Sequence, residues 1–275
     1  MSWRAVAPTG ILVIFPVVSI LLFGLMPPDH QLLLALDHRE PRWYQFMTAV
    51  VIHRDADHLW SNVVSFSFAY TAWVQLIRLG GQARRGRRIA AIVVVVGPLA
   101  TTVLSLLAYD AVLAIDISLD RGLSGMVGVM TGLLIYEVVM LTMRAAGGRL
   151  GTLVSGGYIL AMILSLQTVN GQVAPVVGGG SLTALILGGC VLLWWGRARL
   201  RAWARERPEL FYTLLVAVPW SVFLFIGLLP ATMAGPNGMT NVVAHGGGIV
   251  VGMVIGQLVG TAQVPIPTDQ TSAGS

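Results

Sequence analysis

The residues of this chain that could make a nucleophile are a serine and a histidine in apolar surroundings. Ser124 lies in Arg121-Gly122-Leu123-Ser124-Gly125, which opens an apolar run from Leu123 to Met143. His245 lies in Ala244-His245-Gly246-Gly247-Gly248, near the start of another run. An imidazole can accept the hydroxyl proton as a serine attacks a carbonyl, so the pair could carry acyl transfer, with Ser124 as nucleophile and His245 as general base. No Asp or Glu lies near His245 in the sequence, so the expected unit is a dyad. A third segment, His58-Leu59-Trp60-Ser61-Asn62, sets two neutral donors at i and i+4, on one face of a helix. Side by side, His58 and Asn62 could stabilise the oxyanion formed in such an attack, together with the backbone N–H of Ser124. Each residue type also has a structural use, since small residues, Asn and His join helices in membranes. An ionisable group inside a membrane is nevertheless a functional candidate by default.

What must position these residues follows from composition. Of the 275 residues, 56% are hydrophobic and 11% charged, against about 25% charged in soluble domains. The expected fold is therefore all-α, a polytopic membrane helix bundle. Apolar runs occur at 11–26, 58–77, 89–108, 123–143, 150–169, 174–195, 211–229 and 241–260, each near the ~20 residues of a spanning helix. The first could pass for a secretory signal, but Pro27-Pro28-Asp29 follows it without a small-residue cleavage site, so a retained span is expected. Residues 27–57 mix Trp43, Tyr44 and Phe46 with charges and read as an outer interfacial loop. A single membrane domain is expected over 1–262, with 263–275 as a disordered cytoplasmic tail. The single cysteine, Cys190, excludes a disulfide framework and a multi-thiolate zinc site.

All 17 basic residues are arginine, and the net charge is +5. They cluster beside apolar runs, which points to membrane topology and not to nucleic acid. With eight spans, 13 of the 17 arginines fall on one side. The positive-inside rule then makes both termini cytoplasmic. Spans two, four and eight run from outside to inside, so His58 with Asn62, Ser124, and His245 all sit near outer ends, at one depth. An acidic loop with Asp110, Asp116 and Asp120 precedes Ser124.

Small residues recur every fourth position at Ser124, Gly128 and Gly132, and at Ala244, Gly248, Gly252, Gly256 and Gly260. Such stripes let helix backbones approach closely, and Gly252 is expected to meet Gly128 and Gly132. Gly122 and Gly125 flank the serine for the same reason. Glu137, 13 residues past Ser124, lies roughly 20 Å along the helix, too deep to complete a triad, and is expected near the cytoplasmic interface. His53 reads as structural. His53 and His58 could bind a metal, but their five-residue spacing does not align them on a helix and H-E-x-x-H is absent. No metal or other cofactor is expected.

The three segments, in this order, resemble the rhomboid family of intramembrane serine proteases. The resemblance covers about residues 40–143 and 211–260. It implies a serine–histidine dyad of Ser124 and His245, oxyanion donors at His58 and Asn62, and transmembrane protein substrates cut near the outer end of their helix. The implied partners are those substrates and membrane lipid, and the implied location is the plasma membrane of a prokaryote. Three departures stand out. Gly128 occupies a position where the family often has an aromatic residue, and Tyr44-Gln45 stands where a Trp-Arg pair is usual. Three spans rather than one separate the serine and histidine helices, so 150–196 is the expected insertion into a six-helix core. Two other readings remain: a catalytically silent rhomboid-like protein that binds transmembrane helices, and a transporter with Gly178 to Ser181 as a discontinuous helix at midplane.

Overall fold

A computed structural model describes residues 10–109, 119–229, 234–235, 238–239 and 241–260. The expected tail at 263–275 and the acidic-loop residues Asp110 and Asp116 lie outside the described residues. Each of the eight apolar runs is helical: α1 (Ile14–Leu25), α4 (Ala56–Leu79), α5 (Ala83–Leu107), α6 (Ser124–Ala146), α7 (Gly148–Val169), α8 (Pro175–Trp195), α10 (Pro208–Leu228) and α11 (Val242–Gly260). Among the described residues, α5, α6, α7, α10 and α11 are long and apolar enough to cross a membrane. Gly10–Leu25 and the stretch Pro175–Val191 of α8 are apolar as well. α4 has the length, but Asp57, His58, Asn62, Gln75 and Arg78 dilute its apolar character.

α6 is the centre. It is apolar around nearly its whole circumference, as a helix buried on all sides must be, and every residue from Gly125 to Val138 is buried. α4, α5, α7, α10 and α11 pack around it. α11 runs parallel to α6: Gly248 lies against Gly128, Gly252 against Val129 and Leu133, and Gly256 against Tyr136. α4 begins at Asp55, whose carboxylate accepts the His58 N–H at 2.8 Å, satisfying a first-turn donor.

The segment 27–57 is more ordered than a loop. It contains α2 (Pro28–Leu34), the two-residue strand β1 (Leu36–Asp37), α3 (Gln45–Thr48) and a 3-10 turn at Ala49–Val51. β1 pairs antiparallel with β2 (Leu119–Asp120), immediately before the serine helix. A second short ladder joins β3 (Ala234–Gly235) to β4 (Gly238–Met239), ahead of α11. Trp43 is exposed, as an interfacial ring would be.

One expectation needs correction here. α8 runs unbroken through Gly178-Gly179-Gly180. Gly178 faces the Thr168 side chain of α7 too closely to admit a Cβ, so it serves helix contact rather than a break. The transporter reading thereby loses its discontinuous helix. Glu137 is fully buried within the bundle, and Arg85 of α5, also buried, pairs with it. Arg85 donates to the Gly256 carbonyl at 3.2 Å and lies over the Tyr136 ring, so one guanidinium ties α5, α6 and α11 together. Removing one partner of such a pair typically costs ~3–5 kcal/mol.

α7 packs on α6 and α10, whereas α8 packs on α7 and on α9 (Arg197–Glu206). α8 therefore lies at the periphery of the bundle.

Candidate functional site

Ser124 is the first residue of α6, and no side chain caps that helix. The N–H groups of its first turn therefore have no intrahelical acceptor and carry the positive end of the helix dipole. The approach is shaped by Gly122, whose φ of +131° strains any side-chain-bearing residue. Its N–H donates to the Ala49 carbonyl at 3.0 Å. A Cβ at Gly122 would stand 2.7 Å from His58 Cε1, 2.9 Å from His58 Nε2 and 3.5 Å from Asn62 Nδ2. His58 and Asn62 thus share one face, as their spacing implies, and that face abuts the turn before Ser124. Among the described residues the buried Asn62 amide nitrogen has no hydrogen-bond partner. A buried donor left unpaired costs about 1–3 kcal/mol, which makes the amide a candidate donor to a bound acceptor.

A small hollow beside Ser124 is lined by Ala49, Val50, Thr101, Thr102, Asp120 and Gly125, among others. Gly125 lets Thr101 approach, since a Cβ there would lie 2.9 Å from the Thr101 Cβ.

His245 lies in the first turn of α11 and is buried. A Cβ on Gly128 would be 2.5 Å from the His245 carbonyl oxygen, and one on Gly248 would strike the Gly125 carbonyl. The histidine backbone therefore rests one turn below Ser124. Side chains lean toward the N-terminus of their helix, which carries the imidazole up toward the serine level. The aromatic residue expected from the resemblance at Gly128 has no room here, because α11 backbone occupies its place. Gly252 is on the expected face but meets Val129 and Leu133 rather than Gly128 and Gly132, with a hypothetical Cβ 2.9 Å from Leu133 N.

The structure adds what sequence reasoning did not find. His245 Nδ1 is 2.6 Å from the Leu228 carbonyl oxygen. A carbonyl only accepts, so Nδ1 carries the proton and Nε2 is left with a lone pair. Leu228 ends α10, where carbonyls lack helical partners. Asn170, at the end of α7, donates to the neighbouring Leu229 carbonyl at 3.0 Å. α7 is thus tied to the end of α10 that orients the histidine.

Although no acid is near His245 in sequence, Asp120 reaches the start of the histidine helix through Asn241. Its carboxylate accepts from Ser105 Oγ at 2.7 Å and from the Asn241 amide. Asn241 Oδ1 accepts the Ala244 N–H at 2.8 Å and so caps α11. This network holds the starts of the serine and histidine helices together. An Asn four residues before His245 was the available signal.

His53 also joins the site, because its Nε2 accepts the Leu123 N–H at 3.3 Å. Its ring meets that of His58 edge to face at 5.3 Å. Burial, and then the neighbouring His58, push its pKa down from 6.5 to about 4. The unfolded chain binds that proton more readily, so the stability from neutral His53 is complete above 6.5 and drains away as pH falls toward 4. The gap corresponds to on the order of 3 kcal/mol. Thermal unfolding in detergent should fall across this window. His53→Gln, which can accept the same N–H without titrating, should flatten the profile; an unchanged slope would remove His53 as its source.

No family model matches this chain, and neither a curated protein nor a solved structure shows significant similarity to it.

Proposed function

We propose that this chain is an intramembrane serine endopeptidase of rhomboid type. Ser124 attacks the peptide carbonyl of a transmembrane substrate, and His245 Nε2 takes the hydroxyl proton. The oxyanion is held by Asn62, His58 and the Ser124 N–H. Collapse of the tetrahedral adduct releases the amine, which receives the proton from His245, and water then hydrolyses the acyl-serine with the same base. The observation that carries the reading is the packing of α11 on α6, with His245 against Gly128 and Gly248 against Gly125. The direct test is labelling by a serine-directed fluorophosphonate. Labelling should occur and vanish in Ser124→Ala; labelling that persists in the variant would remove Ser124 as nucleophile.

The unpartnered Asn62 amide supports its role as an oxyanion donor. Loss of one such donor typically costs 10²–10³ in rate, and His58 with the helix N–H softens the loss. Asn62→Ala should therefore lower kcat by about 10² while KM changes little. A change confined to KM would make Asn62 a substrate contact instead.

The same reading makes all eight helices spans of a prokaryotic plasma membrane, with both termini cytoplasmic and the site near the outer face. In a Cys190→Ser background, a cysteine at exposed Glu40 should react with an impermeant maleimide in intact cells, and one at exposed Arg84 should not. The reverse pattern would invert the topology.

A further inference from the structure

At the end of the bundle far from Ser124, α6, α7 and α10 leave a crevice of about 610 Å³, and α9 lies across it. Its walls are apolar, with Val138 and Ala145 from α6, Val154 from α7, Leu214 and Val218 from α10, and Trp203 from α9. No carboxylate lines it, while Arg197 and Arg201 do. These two arginines stand one helical turn apart, and both are exposed. Among the described residues neither pairs with an acid. Arg197 lies over the Trp194 ring at 4.2 Å, and Arg201 Nε donates to the Arg197 carbonyl at 3.4 Å. Arg201 also lines an adjoining hollow with Arg205 and Tyr212, so the positive rim continues along α9.

An apolar hollow in a membrane protein is filled by something apolar, and an uncompensated guanidinium pair selects what is attached to it. A phosphate diester meets the planar fork of arginine with parallel hydrogen bonds. Basic pockets between membrane helices bind anionic lipid headgroups on this principle. We propose that the crevice is a binding site for one anionic phospholipid, with acyl chain between α6, α7 and α10 and phosphate on Arg197 and Arg201. The inference does not depend on proteolytic activity.

The test is native mass spectrometry of the full-length chain, delipidated in detergent and titrated with dioleoylphosphatidylglycerol or dioleoylphosphatidylcholine. Each arginine near an anionic lipid is worth a factor of about five, so two should favour the glycerol lipid by about 25-fold. Arg197→Ala with Arg201→Ala should erase that preference. Arg84→Ala with Arg88→Ala, which removes two equally exposed arginines on α5, should retain it. Leu214→Trp, which fills the crevice, should lose both lipids. Equal retention of the two lipids by the unaltered chain would overturn the proposal, as would loss in the α5 variant matching that in the α9 variant. Undiminished binding by Leu214→Trp would show a surface site without the crevice. A dimer formed in place of the lipid adduct would give the crevice to a second copy.

Discussion

Ser124→Ala and His245→Ala should each abolish cleavage of a membrane-embedded reporter while the chain still accumulates in the membrane. A nucleophile and its base act as a unit, and loss of either from a serine protease costs on the order of 10⁶ in kcat. Ser124 begins its helix without capping it, so alanine removes the reacting oxygen and leaves the fold intact. His245 is different, because its Nδ1–H satisfies the Leu228 carbonyl. Alanine there frees an acceptor at the end of α10, at a cost of about 1–3 kcal/mol. Asparagine can donate to that carbonyl but cannot act as base, so His245→Asn separates the two roles. It should restore the thermal stability of the alanine variant and remain inactive. Cleavage near the wild-type rate in any of the three would end the dyad mechanism. If all are stable and the unaltered chain is also inactive, the silent, helix-binding reading takes its place.

The parts of this arrangement that could be read from sequence are those with a period. Glycines every four residues mark one face of α11, and that face meets α6. His58 and Asn62 share a helix face for the same reason, and both reach Gly122. Period marks the face but not the register: Gly248, and not Gly252, lies opposite Gly128.

Contacts made by backbone, or by residues far apart in the chain, leave no such mark. The Leu228 carbonyl that orients His245 has no side-chain signature. The network of Ser105, Asp120 and Asn241 draws on three separate segments, and only folding makes Asp120 a neighbour of His245. In the sequence Arg85 is one more arginine in a cluster with Arg84, Arg87 and Arg88. A single helical position turns it inward to Glu137, which is why a charge count could not distinguish it. The reported departure at Gly128 has a physical reason as well. The close approach of α11 leaves no volume for a ring, so the histidine is steadied by a carbonyl from α10 rather than by an aromatic face. The adjoining Leu229 carbonyl accepts from Asn170 of α7, which links that helix to the end of α10 that orients His245.

Gly252→Leu should lose most activity although no reacting atom changes. Helices in lipid gain nothing from the hydrophobic effect on meeting one another, so association depends on close van der Waals contact. At Gly252 even a Cβ would strike the Val129 carbonyl and stand 2.9 Å from the Leu133 nitrogen. Both are backbone atoms of a helix packed on every side, and neither can turn away as a flexible side chain would. Overpacking of this kind costs ~1–3 kcal/mol or pushes the helices apart. A ~1 Å displacement between nucleophile and base is enough to lower the rate by on the order of 10². Gly188 provides the matched control, because a Cβ there meets nothing within 4 Å. Gly188→Leu on α8 should keep near-normal turnover, since the added side chain faces lipid. Reporter cleavage and fluorophosphonate labelling should fall together for Gly252→Leu, because both need His245 within reach of Ser124. If labelling survives while cleavage fails, the substitution has blocked the substrate rather than parted the dyad. An active Gly252→Leu beside a dead Gly188→Leu would mean that the serine helix depends on α7 and α8 for its geometry, and that its contact with α11 is not what assembles the site.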